Sequence, residues 1–216
     1  PDAAGGAESI TKALAESHRR RGIDVTVATT TPGERVVHED VDGVPVVRLP
    51  LRNFFWHHEA SRRSAFQRAA WHVRDAQNRA MGRALARVIH KLDPDLIAFH
   101  NLAGFSASAW SAARRARKPA LQVLHDYYHL CPRSQLFAQG RRCMRQCTDC
   151  ALFRIGRAAQ SNQLQAVIGV SRAVLDAHVS RGLFDGLGLR KVIHNALAPL
   201  GVSRPSEAPV ARVFGY

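Results

Sequence analysis

Four short apolar runs recur along the chain: residues 95–100 (DLIAFH), 120–126 (ALQVLHD), 166–171 (AVIGVS) and 191–197 (KVIHNAL). Each is too short to be a helix of the core, and helix-length amphipathic segments separate them, expected at 104–117, 151–163 and 171–181. Alternation of this kind leads to parallel strands layered with crossover helices, because a parallel connection needs a dozen or more residues and its strands are buried on both faces. The expected fold is therefore α/β, a Rossmann-like doubly wound and mostly parallel sheet with helices on both faces. In such folds ligands bind at the carboxyl ends of the strands. The residues placed there are His100 and Asn101, His125 and Asp126, Ser171, and Asn195.

The N-terminal third reads the same way with shorter elements. A helix is expected over 7–21, stopped by Gly22, and then a buried strand over 23–31 (IDVTVATTT) with Val25 and Val27 inward. Asp42-Gly43 supplies the turn between two short strands within 36–50. The stretch 61–92 carries Phe66, Ala70, Val73, Gln77, Met81, Leu85, Val88 and Leu92 at three- and four-residue spacing. It predicts one long helix, ended by Asp93-Pro94. Arg68, Arg79, Arg83 and Arg87 fall mostly off that stripe, on a face that is most simply a solvated one.

Composition narrows the function classes. A chain of 216 residues with 46% apolar and 22% charged content can bury a core, which argues against disorder. No apolar run approaches the roughly 20 residues needed to cross a bilayer. The first residues, PDAAGGAESI, lack a basic segment followed by an apolar one, so a cytoplasmic, reducing location is expected. The net charge of +14 favours anionic partners such as phosphorylated substrates, acidic lipid or nucleic acid. Arginine supplies 27 of the 31 basic residues, a bias that GC-rich coding would also produce.

The paired glycines of GGAE opening a helix, then LAESHRRRGIDVTVATTTPG, DPDLIAFHN, VLHDYYHLCPRSQLF, AVIGVSRAVLDAHVSRGLF and KVIHNAL, resemble in order and spacing the N-terminal, acceptor-side domain of family-four glycosyltransferases of GT-B architecture. Those enzymes face two Rossmann-like domains across a cleft. The resemblance spans Gly5 to about Leu197 and implies retaining sugar transfer from a nucleotide sugar to an acceptor. Two departures stand out: only four residues precede the glycines, where the family has its first strand, and the nucleotide-sugar domain is missing. The expectation is a domain over 1–207, with 208–216 a linker and the start of an absent C-terminal domain that would be its closest partner. Such a piece is expected to be inactive alone.

The resemblance also distributes roles. Gly5 and Gly6, with Glu8 behind them, would bring bare backbone N–H groups to the donor diphosphate at a helix N-terminus, where the dipole favours an anion. His125 would point into the cleft as the catalytic side chain, donating to a sugar hydroxyl or buffering the acceptor's proton. Asp126 stands beside it. His100 and Asn101 would line the acceptor pocket, and Asn195 would lie near the hinge. Without a ligand, the same positions serve as a helix-entry turn, a backbone-held histidine and a helix cap.

All four cysteines lie within 131–150 (CPRSQLFAQGRRCMRQCTDC), spaced C-x11-C-x3-C-x2-C. Cys131, Cys143, Cys147 and Cys150 suit a structural zinc in a loop insertion, and some family members carry cysteines in the loop after this strand. Arg133, Arg141, Arg142 and Arg145 would offset the charge of about −2 on a four-thiolate zinc. Two disulfides, a redox pair of Cys147 and Cys150, an iron–sulfur cluster and free thiols remain as alternatives.

Other function classes are a zinc-bearing nucleic-acid module and a thiol sensor. The scattered arginines and the lack of a helix-turn-helix or RNA-binding signature make nucleic acid the weaker partner. An anionic membrane is a further candidate, since acceptors of such enzymes are often lipid-linked or phosphorylated. Phe54, Phe55 and Trp56 precede the arginine-bearing helix where an interfacial anchor would sit, or where a loop would pack onto the core.

Overall fold

A computed structural model describes residues 5–195. Helix α1 (Gly6–Arg20) begins directly at the paired glycines and ends where Gly22 adopts a left-handed φ of 81°, letting Ile23 N–H reach back to His18 O. Strands β1 (Val27–Thr31), β2 (Val37–Val41) and β3 (Val44–Pro50) form one sheet, with β3 parallel to β1 and antiparallel to β2. Asp42 and Gly43 make the hairpin turn with φ of 55° and 80°, the doubly positive pattern that needs a residue pair of this kind.

A 3-10 turn (His57–Arg62) leads into α2 (Ala65–Ala76) and α3 (Arg79–Leu92). Strand β4 (Ile97–Phe99), α4 (Ser108–Arg115) and β5 (Ala120–Leu124) follow. The cysteine loop then holds a small hairpin, β6 (Phe137–Ala138) with β7 (Arg141–Arg142), before α5 (Thr148–Phe153) and α6 (Arg157–Ser161). Strand β8 (Ala166–Gly169), α7 (Arg172–Val179) and β9 (Leu189–Val192) complete the described chain. Strands β4, β5, β8 and β9 make a fully parallel sheet in that spatial order. The fold is the expected Rossmann-like α/β architecture.

The core gathers Met81, Trp110, Leu124, Leu130, Val167 and Phe184, all under 2% exposed. Burying each large apolar side chain contributes about 1.5–3 kcal/mol. Where α3 crosses α4, a Cβ on Gly82 would lie 2.8 Å from Ser108 Cβ, so only a glycine permits the approach.

Several sequence expectations need correction. The strand at 23–31 begins only at Val27, where both Val25 and Val27 are half-exposed and Thr30 is the buried residue. The single helix over 61–92 is two helices. Asn78 caps α3 through its side chain, accepting from Met81 N–H, while Ser64 and Gln67 form a capping box on α2. The break resets the helical phase, so Met81 and Leu85 are buried as expected but Phe66 is 82% and Val73 62% exposed. In α2 the inward residues are Trp71 and Asp75 instead. The helix expected at 151–163 is likewise divided, between α5 and α6, around Gly156 at φ 76°. Ser171 does cap α7 as expected, accepting from Val174 N–H. The expected linker and new strand over 208–216 lie outside the described residues.

Candidate active-site crevice

Because β4, β5, β8 and β9 run parallel, the loops leaving their carboxyl ends emerge on one side. His100 follows β4 and His125 follows β5, on neighbouring strands. Their rings stack with centroids 5.2 Å apart, and His100 Nδ1 lies 2.9 Å from His125 Nε2. One of these nitrogens donates and the other accepts, which requires the two rings to hold complementary protonation. Burial lowers the pKa of His100 to about 4, with His125 adding to the effect. Burial lowers His125 too, against an opposing pull from the Glu8 carboxylate. Both imidazoles are therefore neutral near pH 7. His125 Nδ1 is buried without a hydrogen-bond partner among the described residues.

Glu8 lies in the first turn of α1, three residues after Gly5. Its charge acts on His125 and on Asp126 alike, raising the pKa of Asp126 further after burial has raised it. The Glu8 charge in the first turn of α1 is thus felt at the end of β5. Gly5 is extended at the N-cap, and a Cβ there would run into the Glu8 carboxylate; Gly6 has open space around it. The Asp126 carboxylate accepts from Tyr128 N–H at 2.7 Å, which shapes the chain as it leaves β5. Asn101 is exposed and its side chain accepts from Ala103 N–H, and Asn195 is exposed just beyond β9.

Beside these strand ends lies a buried polar network that the sequence reading missed. The Asp75 carboxylate of α2 accepts from Gly104 N–H at 2.9 Å and from the Tyr128 hydroxyl, and Arg157 of α6 approaches within 3.8 Å. Arg157 also reaches His129 Nδ1 at 3.1 Å. Asp75 and Arg157 are fully buried. Burial pushes the Asp75 pKa up to about 6 despite the nearby guanidinium, and lowers Arg154 to about 10. This network ties the loop after β4, carrying Asn101, to the segment after β5, carrying Asp126. No local pattern marks it, because an aspartate off the stripe of Phe66, Ala70, Val73 and Gln77 reads as a solvated position.

The structure does not support the zinc expectation. Among the described residues no group of three His, Cys, Asp or Glu side chains is arranged to hold a metal ion. Cys131, Cys143, Cys147 and Cys150 are free thiols. Cys131 and Cys150 are buried in the core and Cys147 is exposed at the start of α5. The Cys150 thiol contacts both Cys131 and Cys147. Burial alone would raise the Cys131 thiol, but backbone N–H groups of Arg133, Leu136 and Gln135, with the Cys150 thiol, lower its pKa. Burial, then Cys147 and Cys131, push Cys150 up, so it stays a thiol.

The anchor triplet divides as well. Phe54 is 64% exposed beneath the Arg74 guanidinium, whereas Phe55 packs on Trp71 and Trp56 stacks on His57. No helix among the described residues is long and apolar enough to cross a membrane.

Comparison with known proteins agrees with this geometry. A protein from Klebsiella pneumoniae described as an "Uncharacterized 42.6 kDa protein in cps region" is 25% identical over 180 residues, covering 83% of this chain and 48% of that protein. The chain thus spans about half the length of the curated relative it matches. The family model described as Glycosyltransferase Family 4 matches residues 4–197. With nine-tenths of its length matched, the chain belongs to Glycosyltransferase Family 4.

Proposed function

We propose that this chain is the acceptor-side lobe of a retaining glycosyltransferase that moves a sugar from a nucleotide sugar to a lipid-linked or phosphorylated acceptor. The observation that carries the reading is the pairing of His100 and His125 at the carboxyl ends of neighbouring parallel strands, and the Glu8 charge acting on His125 supports an α1 N-terminus near them. Free N–H groups at Gly6 and Ala7 present the positive end of the α1 dipole to a diphosphate. The neutral His125 imidazole hydrogen-bonds a hydroxyl of the transferring sugar or relays the acceptor's proton. His100 fixes the His125 ring, and Asn101 offers an exposed amide to the acceptor. Asn195 sits where the chain leaves for a second lobe. That lobe, which would hold the nucleotide and the basic groups that stabilise the leaving diphosphate, closes the crevice and is needed for turnover.

The +14 charge and the exposed Phe54, Phe66 and Val73 support peripheral contact with an anionic membrane, where such acceptors reside. The test uses the longer protein that contains this domain, assayed against a panel of nucleotide sugars with extracted lipid acceptors. His125→Ala is expected to lower turnover by about 100-fold or more, and the 216-residue chain alone to release no nucleotide. Unchanged turnover in His125→Ala, or nucleotide release by the short chain, would overturn the reading.

A further inference from the structure

A concavity lies away from the histidine pair, between α3 and the β2–β3 hairpin, with a volume of about 350 Å³. A smaller one of about 170 Å³ shares His38, Val47, Val88 and Lys91 with it, so the two form one elongated slot. The floor is apolar: Val47 and Leu49 from β3, and Ala84 and Val88 from α3. The rim is cationic, made by Arg52, Arg83, Arg87 and Lys91. Arg83, Arg87 and Lys91 recur every fourth residue, so they form a ladder along one side of α3 about 12 Å long. None of the four rim cations has an ion-pair partner among the described residues. No acid lines the larger cavity, and Glu39 beside the smaller one is taken by Arg48.

An apolar trough under a row of unpaired cations matches one ligand chemistry. A hydrocarbon chain fills the floor, the aliphatic stems of arginine and lysine cover it, and an anionic head meets the guanidinium groups. A polyanion such as nucleic acid would use the rim and leave the valines and leucine of the floor without a purpose. We propose that this slot binds a single-chain anionic amphiphile, a long-chain alkyl or prenyl phosphate. Its Arg52 end lies at the crevice side: Arg52 follows Leu51, whose side chain lies against Gly104 in the loop that carries Asn101. A chain seated here with its phosphate at Arg52 directs what the phosphate bears toward that loop. This makes the slot the seat of an acceptor's lipid chain, a role that rests on the transfer reading above, whereas binding itself does not.

Binding is measured by calorimetry on the 216-residue chain with decyl phosphate kept below its micelle concentration. Inorganic phosphate, phosphatidylglycerol vesicles and duplex DNA serve as separate arms. We expect one decyl phosphate per chain and no saturable binding of inorganic phosphate. The surface pair Arg83→Ala/Arg87→Ala should weaken binding about tenfold or more, as loss of charge-assisted hydrogen bonds implies. Ala84→Phe, which fills the floor, should abolish it, and Phe66→Ser, outside the slot, should leave it unchanged. Absence of decyl phosphate binding overturns the proposal. So does binding that neither slot variant weakens, equal affinity for inorganic phosphate, or binding of vesicles or DNA alone. Because no turnover is read, an inactive transferase would not be mistaken for an empty slot.

Discussion

Acidification from pH 7 to pH 5 should destabilise this domain by an amount that its histidines set. His178 is fully buried, with Nδ1 donating to Val174 O at 2.8 Å and Nε2 unpartnered among the described residues. Burial lowers the pKa of His178, and likewise of His100, from 6.5 to about 4. The unfolded chain therefore takes up these protons first: their contribution is complete above pH 6.5 and is lost as the pH falls through 6.5 toward 4. At pH 5 each costs about 1.8 kcal/mol relative to pH 7. Asp75 acts with the opposite sign. Its folded pKa of about 6 lies above the unfolded value of 3.8, so protonation favours the fold as the pH falls through 6 and returns about 1.3 kcal/mol. The net loss from these three groups is about 2 kcal/mol, to which the lowered His57, His72 and His129 add, against a total stability of about 5–15 kcal/mol. Urea titration followed by circular dichroism should show the midpoint falling by about 1 M between pH 7 and pH 5. His178→Gln should reduce that shift by the equivalent of about 1.8 kcal/mol. Equal midpoints at the two pH values, or an undiminished shift in His178→Gln, would refute the reasoning.

Other consequences are as direct. Asp75→Ala leaves Arg157 buried without its counter-charge and strips Gly104 N–H and the Tyr128 hydroxyl of their acceptor, so it should cost about 3–5 kcal/mol in urea titration; a cost under about 1 kcal/mol would show the network to be incidental. Chelation by EDTA should leave the melting temperature of anaerobically purified protein unchanged, because no group of three ligating side chains among the described residues is arranged around an ion; stoichiometric zinc in the purified chain would contradict this. Phe54→Ser with Phe66→Ser should weaken sedimentation with phosphatidylglycerol vesicles, while Phe55→Ser should act on stability through lost packing on Trp71. Vesicle binding indifferent to Phe54 and Phe66 would remove them as membrane contacts.

The amino-acid sequence by itself determined the layered α/β plan, the parallel order of the strand runs and the identity of the residues at their carboxyl ends. These follow from local chemistry: apolar runs of strand length, left-handed glycines after helices, and a serine able to cap α7. The meeting of His100 with His125 also follows from topology, since parallel strands deliver their carboxyl ends to one side. What only tertiary structure decided is anything that depends on helical phase or on partners distant in sequence. The stripe through Phe66 and Val73 was legible as periodicity, yet Asn78 capped a new helix and turned that stripe to solvent. Asp75 became an interior residue because Gly104, Tyr128 and Arg157, 29 to 82 positions away, converge on it. The cysteines were close in sequence, but the β6–β7 hairpin and the turn into α5 set their directions. The slot between α3 and β3 likewise exists only once two segments each unremarkable alone are packed together, leaving a cationic edge over an apolar floor.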